Sequence, residues 1–276
     1  MVRLCVAVVA AALLASCSTV RFAYDNADTY LRWRISSYLD LEGAMSDELD
    51  DSIASFMAWH RANALAKYAT LVDDASRRFA RGLAPADLLW GYDAVMTQAR
   101  ESLRAAAERI APLLDRLTPQ QIAHLERRLA EENRRFAREN LRGSERDRRK
   151  RRTERNVERL EDWVGRLSQP QIDRVAQYSE RAPLLDELRS RDQRRLQGEF
   201  LAILRAREAK KRLADFVANY DRGRDPAYAA ALEAARREYF AMALDLDKSL
   251  TREQRGRGLA ELRRYAEDFR ILSRKQ

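Results

Sequence analysis

The chain is poor in almost everything that builds sheets, loops and reactive centres. Its two cysteines, Cys5 and Cys17, both lie near the start, so no thiol beyond Cys17 is left for a disulfide or a thiolate metal site. The two histidines, His60 and His124, fall on different expected helices with no acid or cysteine at ligand spacing. Glycine (9) and proline (6) are scarce, and no run alternates β-branched and polar residues long enough to make a strand. A Gly-rich phosphate loop and a nucleophile elbow are both missing. Asp73-Asp74 and Glu131-Glu132 are neighbours on helices, so the members of each pair diverge, as on solvated faces, and do not form an acid/base couple. These absences argue against an enzyme and against any cofactor, catalytic or metal site. No apolar run reaches the roughly 20 residues that a membrane span needs.

What is present begins at the amino terminus. Met1 and Arg3 lead into a short apolar run that closes on Leu14-Ala15-Ser16-Cys17 before the polar Ser18-Thr19. A basic start, an apolar stretch and small residues before a break make a secretory signal. The cysteine directly after Leu-Ala-Ser resembles the lipobox of bacterial lipoproteins. That resemblance implies removal of residues 1–16, a mature domain over 17–276, and lipidation of Cys17 by acyl chains that hold the protein to a membrane. Ser18, where an aspartate would resemble an inner-membrane retention signal, implies the outer membrane and its periplasmic face. Nucleic acid is not a partner in that compartment.

The composition is that of helices. Charged residues make up 34% of the chain, and the 46% hydrophobic share excludes wholesale disorder. The expected fold is all-α: long antiparallel amphipathic helices in an elongated bundle, with no sheet, as a monomer or homodimer. Ser46-Asp47-Glu48 marks a helix start, and an apolar stripe from Leu49 through Val72 runs to a C-cap at Gly82. Pro85 opens a segment reaching Leu113-Leu114. A stripe from Leu184 to Tyr220 reads as one further long helix, and two shorter ones follow near Pro226–Lys248 and Arg252–Leu272.

One local pattern recurs. Leu117-Thr118-Pro119-Gln120-Gln121, Leu167-Ser168-Gln169-Pro170-Gln171 and Leu250-Thr251-Arg252-Glu253-Gln254 all read Leu-(Ser/Thr)-x-x-Gln, and Leu83-Ala84-Pro85-Ala86-Asp87 is a degraded copy. Each is a capping box: the hydroxyl caps the helix, the glutamine reaches back to the cap N–H, and the leucine staples onto the first turn. Ile122 and Ile172 supply the staple in two copies, and Arg255 replaces it in the third. The motif resembles that of the Spy/CpxP-type periplasmic stress chaperones, which implies a helical protein that holds unfolding envelope proteins. A second resemblance covers more of the chain. Phe22-Ala23-Tyr24-Asp25-Asn26-Ala27-Asp28, Leu31-Arg32-Trp33, Ser37-Tyr38-Leu39-Asp40-Leu41, Trp59-His60-Arg61 and Tyr68-Ala69 are similar to an uncharacterised lipoprotein family of Gram-negative bacteria, with Glu42-Gly43-Ala44-Met45 departing from its pattern.

From Arg142 to Asn156 no apolar side chain occurs, about 22 Å of helix with nothing to bury. Arg148, Arg149, Arg151 and Arg152 in this stretch are candidates for contact with anionic headgroups or acidic clients. Interleaved Glu145, Asp147 and Glu154 favour a solvated arm, and Gly143-Ser144 makes 142–156 the expected hinge. Core packing is the default role of Trp33, Trp59, Trp90 and Trp163, with Trp33 also placed for a membrane interface. The functional expectation is a lipid-anchored, non-enzymatic, chaperone-like binder in envelope maintenance. The alternative is a scaffold lipoprotein with one defined partner.

Overall fold

With so few helix breakers, the chain has little to interrupt i→i−4 hydrogen bonding. The computed structural model describes residues 19–275, and these form twelve α-helices with no strand among them. Residues 1–16, expected as a signal, and Cys17 lie outside the described residues. In chain order the helices are α1 (Thr19–Asp25), α2 (Ala27–Leu39), α3 (Ala44–Asn63), α4 (Leu65–Ala80), α5 (Pro85–Leu114) and α6 (Pro119–Asn140). There follow α7 (Glu145–Val164), α8 (Gln169–Arg181), α9 (Asp186–Arg205), α10 (Ala209–Ala218), α11 (Pro226–Ser249) and α12 (Arg252–Arg274). No helix among the described residues is long and apolar enough to cross a membrane.

The bundle is built round α5, whose 30 residues span about 45 Å. Its carboxyl-terminal half packs on α3 and α10 in a core that includes Leu49, Ile53, Leu113, Leu117, Ile203 and Leu204. A smaller core gathers Val164, Leu167, Val175, Met242 and Leu246 from α7, α8, α11 and the turn before α8. Most neighbouring helices run antiparallel, whereas α1 runs parallel to the end of α12, with Arg21 on Asp268 and Asp25 on Lys275. Phe79 of α4 meets Gly258 of α12 while Tyr68 meets Phe269. Asp115 beside α5 meets Ala209 of α10 while Arg100 meets Asp221. At Gly258 α12 packs tightly on α4: a Cβ there would lie 2.7 Å from the Phe79 ring.

Two helices expected as single units are divided. The stripe from Leu49 to Val72 breaks at Ala64, which leaves the ideal helical region with φ −106°. Ala64 and Leu65 are adjacent and both buried, whereas a straight helix would aim them about 100° apart. The stripe from Leu184 to Tyr220 breaks at Arg207, which takes the left-handed conformation with φ 55°. The new helix α10 is then capped from a distance: the Asp115 carboxylate accepts the N–H of Ala209 at 2.5 Å and of Lys210 at 3.2 Å. A cap supplied from 94 residues upstream leaves no local mark. The helix expected to begin at Ser46 begins two residues earlier, at Ala44, behind Gly43.

Candidate functional site

All three Leu-(Ser/Thr)-x-x-Gln copies start helices. Thr118 N–H donates to Gln121 Oε1 at 2.9 Å and Gln121 N–H to Thr118 Oγ1 at 3.2 Å. Thr251 and Gln254 make the same reciprocal pair at 3.0 and 3.1 Å, and Ser168 N–H donates to Gln171 Oε1 at 2.9 Å. In the degraded copy Ala84 has no acceptor, and Asp87 alone takes the returning N–H at 3.0 Å. That bond, then the Arg78 and Arg81 guanidiniums, holds the Asp87 carboxyl down at about 2.

The glutamines also do something the local pattern does not specify. Gln171 Nε2 donates to Gln254 Oε1 at 2.9 Å while Gln254 Nε2 donates to Gln171 Oε1 at 3.0 Å. Each amide reaches on to a carbonyl beside the other helix start: Gln171 to Ser249 O at 3.2 Å and Gln254 to Arg166 O at 2.9 Å. The pair is buried and clasps α8 to α12 with approximate twofold symmetry. Gln121 makes half of such a clasp, to Asp40 O at 3.2 Å, with Met45 Sδ at 3.8 Å where a second amide would sit. Arg255, in the staple position of the third copy, bonds Asp247 and the Phe79 carbonyl instead, at 2.8 and 2.7 Å. Asp247 in turn accepts the Leu83 N–H at 2.9 Å, so the turn before α5 is tied to α11 and α12.

These ties present α5 with one side uncovered. Leu89, Tyr92, Met96, Ala99, Leu103, Ala106, Ile110 and Leu114 recur at spacings of three and four. This is the seam that one helix offers to another. Leu89, Tyr92 and Leu103 on it are exposed, as is the adjacent Val95. Towards its amino-terminal end the seam enters an open groove of about 710 Å³ closed by Leu71 and Phe79 of α4, Trp163 of α7, Tyr239 of α11 and Leu262 of α12. Towards the other end it enters a groove of about 370 Å³ with Ile35 and Tyr38 of α2, Leu129 of α6, and Leu213 and Val217 of α10. Both linings are overwhelmingly apolar, and arginines stand at their rims: Arg78 lies over Trp90 at 4.1 Å and Arg236 over Tyr92 at 4.9 Å.

The basic stretch is differently employed from the arm expected. The chain turns at Leu141–Ser144, where Gly143 has φ 87°, and Ser144 caps α7 with Asp147 as its returning acid. On α7, Arg149 donates to the carbonyls of Ser179, Glu180 and Ala182 at 2.9, 2.7 and 3.1 Å. Arg152 donates to Pro183 at 2.9 Å, to Ala182 at 2.8 Å and to Ser179, and lies over the Tyr178 ring at 5.6 Å. Both guanidiniums therefore close the carbonyl end of α8, where the helix dipole is negative. Arg148 is nearly covered and pairs with Glu187 at 3.2 Å, and Arg151 donates to Arg142 O at 2.8 Å. Of the basic residues in the stretch, Arg142, Arg146, Lys150 and Arg155 are the exposed ones. Sequence reasoning missed this because no apolar side chain marks the contact; the buried groups are guanidinium and carbonyl.

The histidines stay apart. His124 Nε2 lies 3.3 Å from Ser37 O. His60 Nδ1 is 3.1 Å from the Tyr24 hydroxyl and its Nε2 3.3 Å from that of Tyr68, which meets Ser102 Oγ at 2.8 Å. Burial lowers the His60 pKa. The chain of polar groups joins α1, α3, α4 and α5 inside a sleeve of Phe56, Trp59 and Phe269. Among the described residues no three His, Cys, Asp or Glu side chains are grouped to hold a metal ion.

No curated protein and no solved structure matches the chain. A family model does, over residues 37–228, from the second half of α2 into the first turn of α11. This span takes in α5, two of the capping motifs and the arginine contacts on α8, and leaves out the opening residues Phe22–Arg34. Covering well over half of the sequence, the match shows that the chain belongs to DUF6279, a family of unknown function.

Proposed function

We propose that this protein is a periplasmic lipoprotein, anchored to the outer membrane through Cys17, that binds apolar or amphipathic segments of envelope proteins without catalysing a reaction, as a chaperone does. The open seam of α5 and its two grooves carry the binding part of this reading. Three-four spaced anchors suit a segment laid helix-in-groove. The formal net charge of +9 favours acidic clients. The lipid anchor rests on Leu14-Ala15-Ser16-Cys17, and the capping motifs support kinship of function with the helical stress chaperones.

The test places a photo-crosslinking residue at Leu103 in intact cells. Capture of many unrelated envelope proteins supports the chaperone, and a single stoichiometric partner supports the scaffold in its place. With purified protein, Leu89→Ser, Tyr92→Ser and Leu103→Ser together should weaken binding of an unfolded client at least about tenfold, because burying one such side chain is worth about 1.5–3 kcal/mol. Unchanged binding would overturn the groove as the site. Cys17→Ser should abolish incorporation of labelled fatty acid, and persisting label would overturn the anchor.

A further inference from the structure

The remaining large exposed side chains not explained by the α5 grooves sit together at the amino-terminal end of the described chain. Phe22 is 67% exposed, Tyr30 59% and Trp33 62%. Helices α1 and α2 are joined by a turn at Asn26 (φ −109°, ψ 7°) that hydrogen bonds span, Asn26 N–H donating to Phe22 O at 3.2 Å and Tyr30 N–H to Asn26 O at 3.1 Å. At about 100° per residue, Tyr24, Ala27, Leu31, Ile35 and Tyr38 form the face packed on the core. Phe22 and Trp33 then point the opposite way, and Tyr30 flanks them with its ring 5.9 Å from that of Trp33. Between them lie Asn26 and Thr29, so this stripe carries no charge although charged residues make up 34% of the chain.

We infer that the Phe22–Tyr30–Trp33 face lies in the headgroup region of the lipid bilayer, seating α1 and α2 along the membrane. The inference rests on the proposed acylation of Cys17, which lies two residues before α1 in sequence and so brings α1, with this face, close to the bilayer. Tryptophan and tyrosine favour that depth because an apolar ring and a polar edge are both satisfied there. A lipid anchor alone leaves the body free to tumble; three rings in the interface give it an orientation.

The test uses the full lipidated chain in vesicles of phosphatidylethanolamine and phosphatidylglycerol doped with phospholipid brominated near the headgroup. The summed tryptophan fluorescence should be partly quenched, and Trp33→Phe, a change on a largely exposed side chain, should remove at least half of the quenched intensity. Vesicle flotation and fatty-acid labelling are measured on the same samples. A chain that floats and carries label, yet shows the same quenching with and without Trp33, overturns the inference while leaving the anchor intact. A chain without label overturns the anchor, and quenching that depends on Trp33 with vesicles in excess still supports the face. A solution dimer dissociated by Trp33→Phe, with no Trp33-dependent quenching, overturns the inference and assigns the face to a second copy.

Discussion

Gln171 and Gln254 each serve two helices at once, and their side-chain oxygens accept both a local N–H and the partner's amide. Replacing either with alanine removes a capping bond and strands the other amide in a buried site. The expected cost is about 1–3 kcal/mol for each single change. The double change should cost clearly less than the sum, since the second removal takes out the amide that the first left stranded and adds only the loss of its own cap. Urea denaturation of the two single variants and the double variant checks this; simple additivity would reduce the clasp to two independent caps. Gln121→Ala, at the half-clasp against Met45, should cost less than either.

At the scale of the element, the arginines of α7 behave as a cap for α8. Arginine suits this because the two ends of its planar fork can reach separate carbonyls, as Nη1 and Nη2 of Arg152 do at Pro183 and Ala182. Arg149→Gln with Arg152→Gln should therefore destabilise the protein by about 2 kcal/mol or more, the scale of charged hydrogen bonds to a helix end. Arg146→Gln with Arg155→Gln, on the solvated side of the same helix, should stay within about 0.5 kcal/mol. Thermal unfolding of the two double variants separates the readings, and equal small effects would return the stretch to a solvated arm. The divided helices carry a related lesson. Ala64 and Arg207 are both places where an apolar stripe continues in sequence but has to change direction in space.

For the whole molecule, the titrating groups with altered pKa predict a two-stage dependence of stability on pH. His60 has its pKa lowered by burial from 6.5. The unfolded chain therefore binds the proton more readily, and stability falls as pH drops below about 6.5 until the folded form also protonates. Asp87, Asp147 and Glu208 all have lowered pKa values, through hydrogen bonds led by Ala84 N–H, Ser144 Oγ and Arg212 respectively. Their contributions hold above about 4 and are lost as pH falls towards 2. Unfolding midpoints measured from pH 8 to pH 3 should show both stages, and His60→Gln should remove the first alone. A first stage unchanged in that variant would place its origin elsewhere.

The all-α class was legible in the sequence because it follows from local physics: few helix breakers, strong caps and a three-four apolar period act within one turn. The same is true of the capping boxes and of Pro85, which opens α5 as expected. The tertiary structure alone decided which capping glutamines meet, that Asp115 starts α10, that Arg149 and Arg152 close α8, and which face of α5 stays open. Each depends on groups many residues apart being brought within about 3 Å, and a polar group that finds its partner across the fold has no periodicity to announce it. The open seam is the sharpest case. Its spacing is that of an ordinary buried helix face, and only the placement of the surrounding helices leaves it uncovered.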